Sequence, residues 1–142
     1  MVYTLVVHVT AVDDAAVQKL HAKLIEAALV YNRDKGTIDW FVMQEEGNPK
    51  NFTVVERYES KDATKIHLEN PYWSRFNDYF GPLIVQPMDL RRYDELLPQG
   101  AGAASRKYGE AVLPDDKKVD TDPDIWKNID QYQAHLREQG NY

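Results

Sequence analysis

The chain has 142 residues, 43% of them hydrophobic, a net charge of −6 and no cysteine. That is the length of one domain with an appendage, and no apolar run approaches the ~18 to 20 residues of a membrane span. The missing cysteines exclude disulfides, thiolate nucleophiles, iron–sulfur clusters and Cys-type zinc sites. The acidic balance, with Lys and Arg scattered in pairs such as Arg91–Arg92 and Lys117–Lys118, provides no basic groove for nucleic acid.

Residues Val2 to Ala11 alternate and are rich in β-branched side chains, which predicts a strand. The same stretch lacks a basic region, so no signal peptide is expected and the cytoplasm is the expected compartment. Asp13 and Asp14 supply an N-cap and an acidic first turn. Val17, Leu20, His21, Leu24, Ala27 or Ala28, and Tyr31 then recur at helical spacing, giving an amphipathic helix to about Arg33, with Gly36 near its C-terminus. Thr37 to Gln44 and Asn51 to Glu59 read as a hairpin around the turn at 46–49. Ser60 caps a second helix with Asp62 in its first turn. Pro71 interrupts that helix. A further helical segment runs to about Tyr79 and ends at Gly81–Pro82, and Met88 to Tyr93 is a fourth strand.

The order β-α-β-β-α-β predicts an α+β, ferredoxin-like domain over 1–97, with two helices on one face of a four-stranded antiparallel sheet. Leu5, Val7 and Val9 share one face of the first strand and Val6 and His8 the other; Ile38, Trp40 and Val42 likewise oppose Phe41 and Met43. Two helices cover one face only. A second copy of the sheet is the expected cover for the other, so the chain is expected to be a homodimer. Residues 98–142 change in composition: 98–105 is a small-residue linker, 113–124 is polar, and 124–138 is an expected helix with Ile125, Ile129, Tyr132 and Leu136 as a stripe and Trp126 beside it.

His8, His21, His67 and His135 show no metal-ligand spacing, and no GxGxxG or P-loop occurs, so no metal or cofactor is expected. His67 stands four residues after Ala63, on the sheet-facing side of the second helix. Imidazole suits a base near neutral pH; the alternative is a histidine donating to a carbonyl at a helix end. Tyr72 supplies a hydroxyl beside it, and these two are the candidate catalytic residues. Trp40, Trp73 and Phe76 are candidates for stacking on a flat substrate, or else core. His8, inside the first strand, lines the pocket or sits at a dimer seam. Asn32 donates to a substrate oxygen or caps the first helix. Arg57 faces away from Glu56 and Tyr58, as a surface or interface ion-pair member.

Several of these residues carry a family resemblance. The first strand VVHV, Gly36 followed by Trp40, Phe52-x-x-x-Glu56-x-Tyr58 followed by Ser60, Ala63-x-x-x-His67, and Asn70-Pro71-Tyr72 before Phe76 occur in one order. Over residues 3 to about 95 the chain resembles the antibiotic biosynthesis monooxygenase (ABM) domain, a dimeric α+β barrel. It departs from the family where Asp34-Lys35-Gly36 replaces the frequent Glu-Pro-Gly. The resemblance implies a cofactor-independent oxygenase of secondary metabolism. An electron-rich phenol or anthrone is deprotonated and passes an electron to dioxygen, so no flavin, haem or metal is required. The haem-degrading branch is disfavoured, because Trp73 to Phe80 contains no histidine. The alternatives are a cyclase or isomerase on the same barrel and a non-catalytic small-molecule-binding protein. The expected partners are therefore a small aromatic substrate and a second copy of the chain, with neither nucleic acid nor membrane.

Overall fold

The computed structural model describes residues 1–96 and 124–140; the linker expected between 98 and 123 lies outside the described residues. The strands are β1 (Tyr3–Thr10), β2 (Thr37–Gln44), β3 (Asn51–Tyr58) and β4 (Asp89–Asp94), and the helices α1 (Asp14–Tyr31), α2 (Thr64–Glu69), α3 (Tyr72–Phe80) and α4 (Ile125–Glu138). The sheet runs β2-β3-β1-β4, every neighbouring pair antiparallel. This is the α+β, split β-α-β arrangement that the strand and helix order predicts.

The period-2 alternation decides which side chains enter the core. Tyr3, Val7 and Val9 of β1, Ile38 and Trp40 of β2, and Phe52, Val54, Glu56 and Tyr58 of β3 are all buried. Leu20, Leu24, Ala27, Val30 and Tyr31 of α1 pack on that face. Asp13 is extended and its carboxylate accepts from the Ala16 N–H at 2.8 Å, the N-cap expected from sequence.

Two local devices set the height of α2 and α3 above the sheet. Ser60 is extended and makes no side-chain cap bond. The chain instead tightens into a 3-10 turn at Lys61–Ala63 before α2 begins, which corrects the expectation of a Ser60 cap. Asn70 then leaves the helical region at ψ 125°, as the residue before a proline tends to. Its buried side chain accepts from the Tyr72 N–H at 2.9 Å and donates to Asp34 at 2.8 Å, starting α3 and tying it to the loop after α1.

The other face of the sheet carries Val6, Phe41, Met43, Val55 and Tyr93, with Met43 47% and Tyr93 46% exposed. Arg57 on that side is buried and grips Glu95 through Nε and Nη2 at 2.6 and 3.0 Å, while the Thr4 hydroxyl donates to the same carboxylate.

Helix α4 lies against α1. Ile125 and Ile129 join the main core, and the Arg75 guanidinium of α3 stands 4.6 Å over the Trp126 ring. Beneath α4 is a buried polar cluster. Lys23 and Glu26 pair at 2.7 Å, the Tyr72 hydroxyl donates to the same Glu26 oxygen at 2.7 Å, and the Gln133 amide reaches it at 3.4 Å. No helix among the described residues is long and apolar enough to cross a membrane.

Gly36 has φ +81°, and a Cβ there would stand 2.7 Å from the Ala63 Cβ; Gly47 has φ +82° and nothing near it. Both pay the left-handed cost of about 1–2 kcal/mol when replaced by Ala, but only Gly36→Ala must also push Ala63 away. Urea unfolding is expected to show Gly36→Ala more destabilised than Gly47→Ala by about 1 kcal/mol or more. Equal losses would mean the Ala63 contact is slack.

Candidate active site

Helices α2 and α3 arch over the buried face of the sheet and enclose a cavity of about 350 Å³. Its floor is the inward row of β1 and β3, its end wall is Tyr31 of α1 with Trp40 of β2, and its roof is His67, Trp73, Phe76 and Phe80. The size suits a small organic molecule. The rings meet at angles: Tyr31 lies 5.3 Å from Trp40, 4.2 Å from His67 and 6.1 Å from Phe76. A flat apolar guest would find faces and edges on several sides.

The polar centre of this cavity is Glu56. Its Oε2 accepts from the Tyr58 hydroxyl at 2.7 Å and stands 3.9 Å from His67 Nε2, too far for a hydrogen bond but close enough for both to reach one bound molecule. Burial raises the Glu56 pKa, and the Tyr58 hydrogen bond opposes that rise. The indole N–H of Trp40, its cross-strand neighbour, opposes it too, from outside hydrogen-bond geometry. Burial also lowers the His67 pKa to about 4, so its imidazole is neutral at pH 7. The two groups are thus pushed in opposite directions by one cause, and each is held toward its uncharged form.

Tyr31 and Tyr58 are driven well above the ordinary phenol range, first by burial and then by nearby carboxylates, so both keep their protons and remain donors. Tyr31 Oη, Trp40 Nε1 and His67 Nδ1 are buried without a hydrogen-bond partner among the described residues. All three residues line the cavity. Buried polar atoms are normally satisfied, and a guest bearing oxygen atoms would satisfy these. Among the described residues no three His, Asp or Glu groups gather as a metal site.

Of the residues singled out in the sequence, His67, Trp40, Trp73 and Phe76 come together around this cavity. Tyr72 does not line it: its hydroxyl is drawn to the buried Glu26 of α1. Asn32 serves the scaffold. Its Nδ2 donates to the carbonyls of Ala28 and Trp40 at 2.8 and 2.6 Å, and its Oδ1 accepts from the Trp40 N–H at 2.8 Å, clamping α1 to β2. His8 is exposed on the far face of the sheet, with Nδ1 2.9 Å from the Thr53 hydroxyl. Glu56, Tyr58 and Tyr31 were not assigned roles from sequence. The available signal was a carboxylate at an inward position of β3, between Val54 and Tyr58.

The family model described as antibiotic biosynthesis monooxygenase matches residues 2–79. Among solved structures, a provisionally named antibiotic biosynthesis monooxygenase from Nitrosomonas europaea is 16% identical and superimposes with a TM-score of 0.63 over 67% of this chain and 99% of that one. Rv0793 from Mycobacterium tuberculosis is 17% identical, with a TM-score of 0.61 over 70% and 99%. SnoaB from Streptomyces nogalater, a cofactor-independent oxygenase, is 13% identical, with a TM-score of 0.61 over 70% and 98%. At these identities the likeness is one of fold. No curated protein matches the chain in sequence.

A raised carboxyl pKa in the folded chain contributes stability below the unfolded pKa, and that contribution is lost as pH rises through the folded value. Glu56→Gln removes the titration and keeps the acceptor for Tyr58. The variant is expected to gain stability over the parent as pH rises from 4 to 8, by about 1.4 kcal/mol for each unit by which the Glu56 pKa is raised. Denaturant unfolding at the two pH values checks this, and a difference independent of pH would contradict the assigned electrostatics.

Proposed function

The chain belongs to the antibiotic biosynthesis monooxygenase family, and from that premise we propose that it is a cofactor-independent oxygenase acting on a small, electron-rich phenol or anthrone of secondary metabolism. The observation that carries this reading is the meeting of Glu56 and neutral His67 inside an aromatic-walled cavity with three unsatisfied polar atoms. SnoaB, of the same fold, lends the cofactor-independent chemistry as a precedent. The lack of cysteine suits a reducing compartment, and the reading places the protein in the cytoplasm.

Glu56 is the base. A buried carboxylate with a raised pKa is a stronger proton acceptor than an exposed one. It takes a proton from the substrate and leaves the electron pair on a delocalised carbanion. Tyr31 Oη and Trp40 Nε1 donate to the oxygen that carries the developing charge. One electron passes to dioxygen, the co-substrate, and the radical pair combines into a carbon-bound peroxide anion. The protonated Glu56, with His67 beside it, returns the proton to the distal oxygen. A second deprotonation at the same carbon breaks the O–O bond and releases hydroxide, which takes that proton. A CH₂ and O₂ become C=O and H₂O, and the base ends as it began. Phe76, Phe80 and Trp73 keep bulk water from the carbanion.

The same acid–base groups would serve a cyclase or isomerase without oxygen, which is the second reading. Oxygen uptake with an anthrone or hydroquinone, and no added cofactor, separates the two. Glu56→Gln is expected to lower kcat by about 10² to 10⁴-fold while the ring still binds. Unchanged turnover would remove Glu56 from the chemistry. Solvent hydrogen exchange at the substrate without oxygen uptake would replace the oxygenase by the isomerase.

The reading includes a homodimer formed by the sheet face that the helices leave bare. Val55 sits at its centre, with Phe41 and Val6 as its cross-strand neighbours. An obligate interface of this kind buries about 2,000 Å² or more. Sedimentation at micromolar concentration is expected to give a dimer, and Val55→Lys a folded monomer. A parent chain that sediments as a monomer would remove the dimer from the reading.

A further inference from the structure

The cavity has a polarity along its length that the oxygenase reading does not use. Among the described residues the charged groups lining it are Glu56, Lys61 and Arg92. Glu56 is buried, whereas Lys61 and Arg92 are exposed, so one carboxyl group sits deep and two cations stand at the mouth. Neither cation forms a salt bridge with a described residue, and Asp94, two residues beyond Arg92 on the same side of β4, makes none with it. In a chain of net charge −6 this is a local reversal of sign.

Strand register turns the arrangement into a ruler. Trp40, Glu56, Leu5 and Arg92 are successive partners across β2, β3, β1 and β4, so they form one straight row on the buried face. Adjacent strands are about 4.8 Å apart, which sets the Arg92 backbone roughly 10 Å from that of Glu56. Leu5 lies between them as an apolar tile, and Leu90 and Val7 form the next row of the same floor. A flat ring system laid across Leu5 would meet a carboxylate at one end and a guanidinium at the other. Arginine binds carboxylates through two parallel hydrogen bonds, and its planar head also stacks on rings.

We propose that the substrate is an aromatic carboxylate: a phenolic acid of one or two fused rings whose anionic end is held at the cavity mouth by Arg92 and Lys61 while its acidic O–H or C–H faces Glu56. The proposal rests on the cavity being the site of an aromatic substrate and names the class it selects. It also sets an orientation. The mouth attracts the anionic end, whereas the buried Glu56 carboxyl offers it no cation, so the reversed pose is disfavoured by charge.

The test is anaerobic isothermal titration calorimetry, which reads binding apart from oxygen chemistry. The probes are 6-hydroxy-2-naphthoate, its carboxamide, and 3-hydroxy-2-naphthoate, in which the two groups are adjacent. The parent is expected to bind the 6-hydroxy acid about tenfold or more tightly than its amide, a gain characteristic of a charge-assisted hydrogen bond. It should also bind it more tightly than the 3-hydroxy acid, with affinity falling as salt rises. Arg92→Gln, and Arg92→Gln with Lys61→Gln, should abolish the preference, bringing the acid's affinity to that of the amide in the same variant. Both positions are exposed, so the variants are expected to fold. Equal affinity for acid and amide, a preference that survives the double variant, or binding of none of the three overturns the proposal. Selective acid binding with no oxygen uptake on aeration keeps it and overturns the oxygenase reading instead.

Discussion

A carboxylate buried on the inward side of a strand that is flanked on both edges is the constraint around which this domain is arranged. Glu56 lies on β3 between Trp40 and Leu5 and cannot turn to solvent without a register slip that would expose Val54 and Tyr58 as well. Burying such a group is costly unless it is hydrogen-bonded. Tyr58 supplies one bond from the same strand, two residues on, because period-2 geometry puts both side chains on one face. The roof above has to be polar at one point and tight elsewhere. Gly36 has no side chain and lets Ala63 come down onto the loop after α1; His67, one helical turn beyond Ala63, is thereby lowered over Glu56. A glycine's missing carbon thus helps fix the separation of the two proton-holding groups.

Most of the frame was legible in the sequence because it is local. Alternation gave the strands, the Asp13 cap gave the start of α1, and Pro71 gave the break between α2 and α3. Each of these is decided by residues within a turn or two. The cavity was legible only in part. Trp40, His67, Trp73 and Phe76 were found because large rings and an imidazole stand out at helical or strand spacing. Glu56 is legible by the same period-2 rule, since it shares a face with Val54 and Tyr58; a charged residue there is a stronger flag than any aromatic. Tyr72 could not be placed from sequence. Its hydroxyl answers to Glu26, 46 residues earlier on α1, and Gln133 of α4 reaches the same carboxylate oxygen. Asn32 was read with two outcomes, and the geometry shows the scaffold one: its amide completes the hydrogen bonding of β2 at Trp40 and so holds the indole that walls the site.

The two polar clusters of the domain solve different problems with similar residues. Around Glu56 the groups are only partly satisfied, with donors left facing an enclosed space, which is how a binding site differs from a core. Around Glu26 one carboxylate oxygen receives Lys23, Tyr72 and Gln133 together, and the result is a joint between three helices. Tyr72 begins α3, whose next residues roof the cavity, so the joint steadies the ceiling of the site without entering it. Sealing the joint falls to α4. Without α4, Glu26 would lose Gln133, the core would lose Ile125 and Ile129, and Arg75 of α3 would lose its stacking on Trp126.

That seal has an evolutionary corollary. A helix added beyond a complete sheet begins as a dispensable ornament, open to loss by any premature stop. Once the face beneath it has accepted Lys23, Glu26 and the Tyr72 hydroxyl, later substitutions there are judged with the cover in place. Deleting the cover would then expose a surface no longer suited to standing bare. An appendage seated on such a cluster acts as a ratchet: it is exchangeable for another cover, or can be shed once the cluster reverts, but truncation alone takes Gln133 from Glu26 and leaves that acid one partner short.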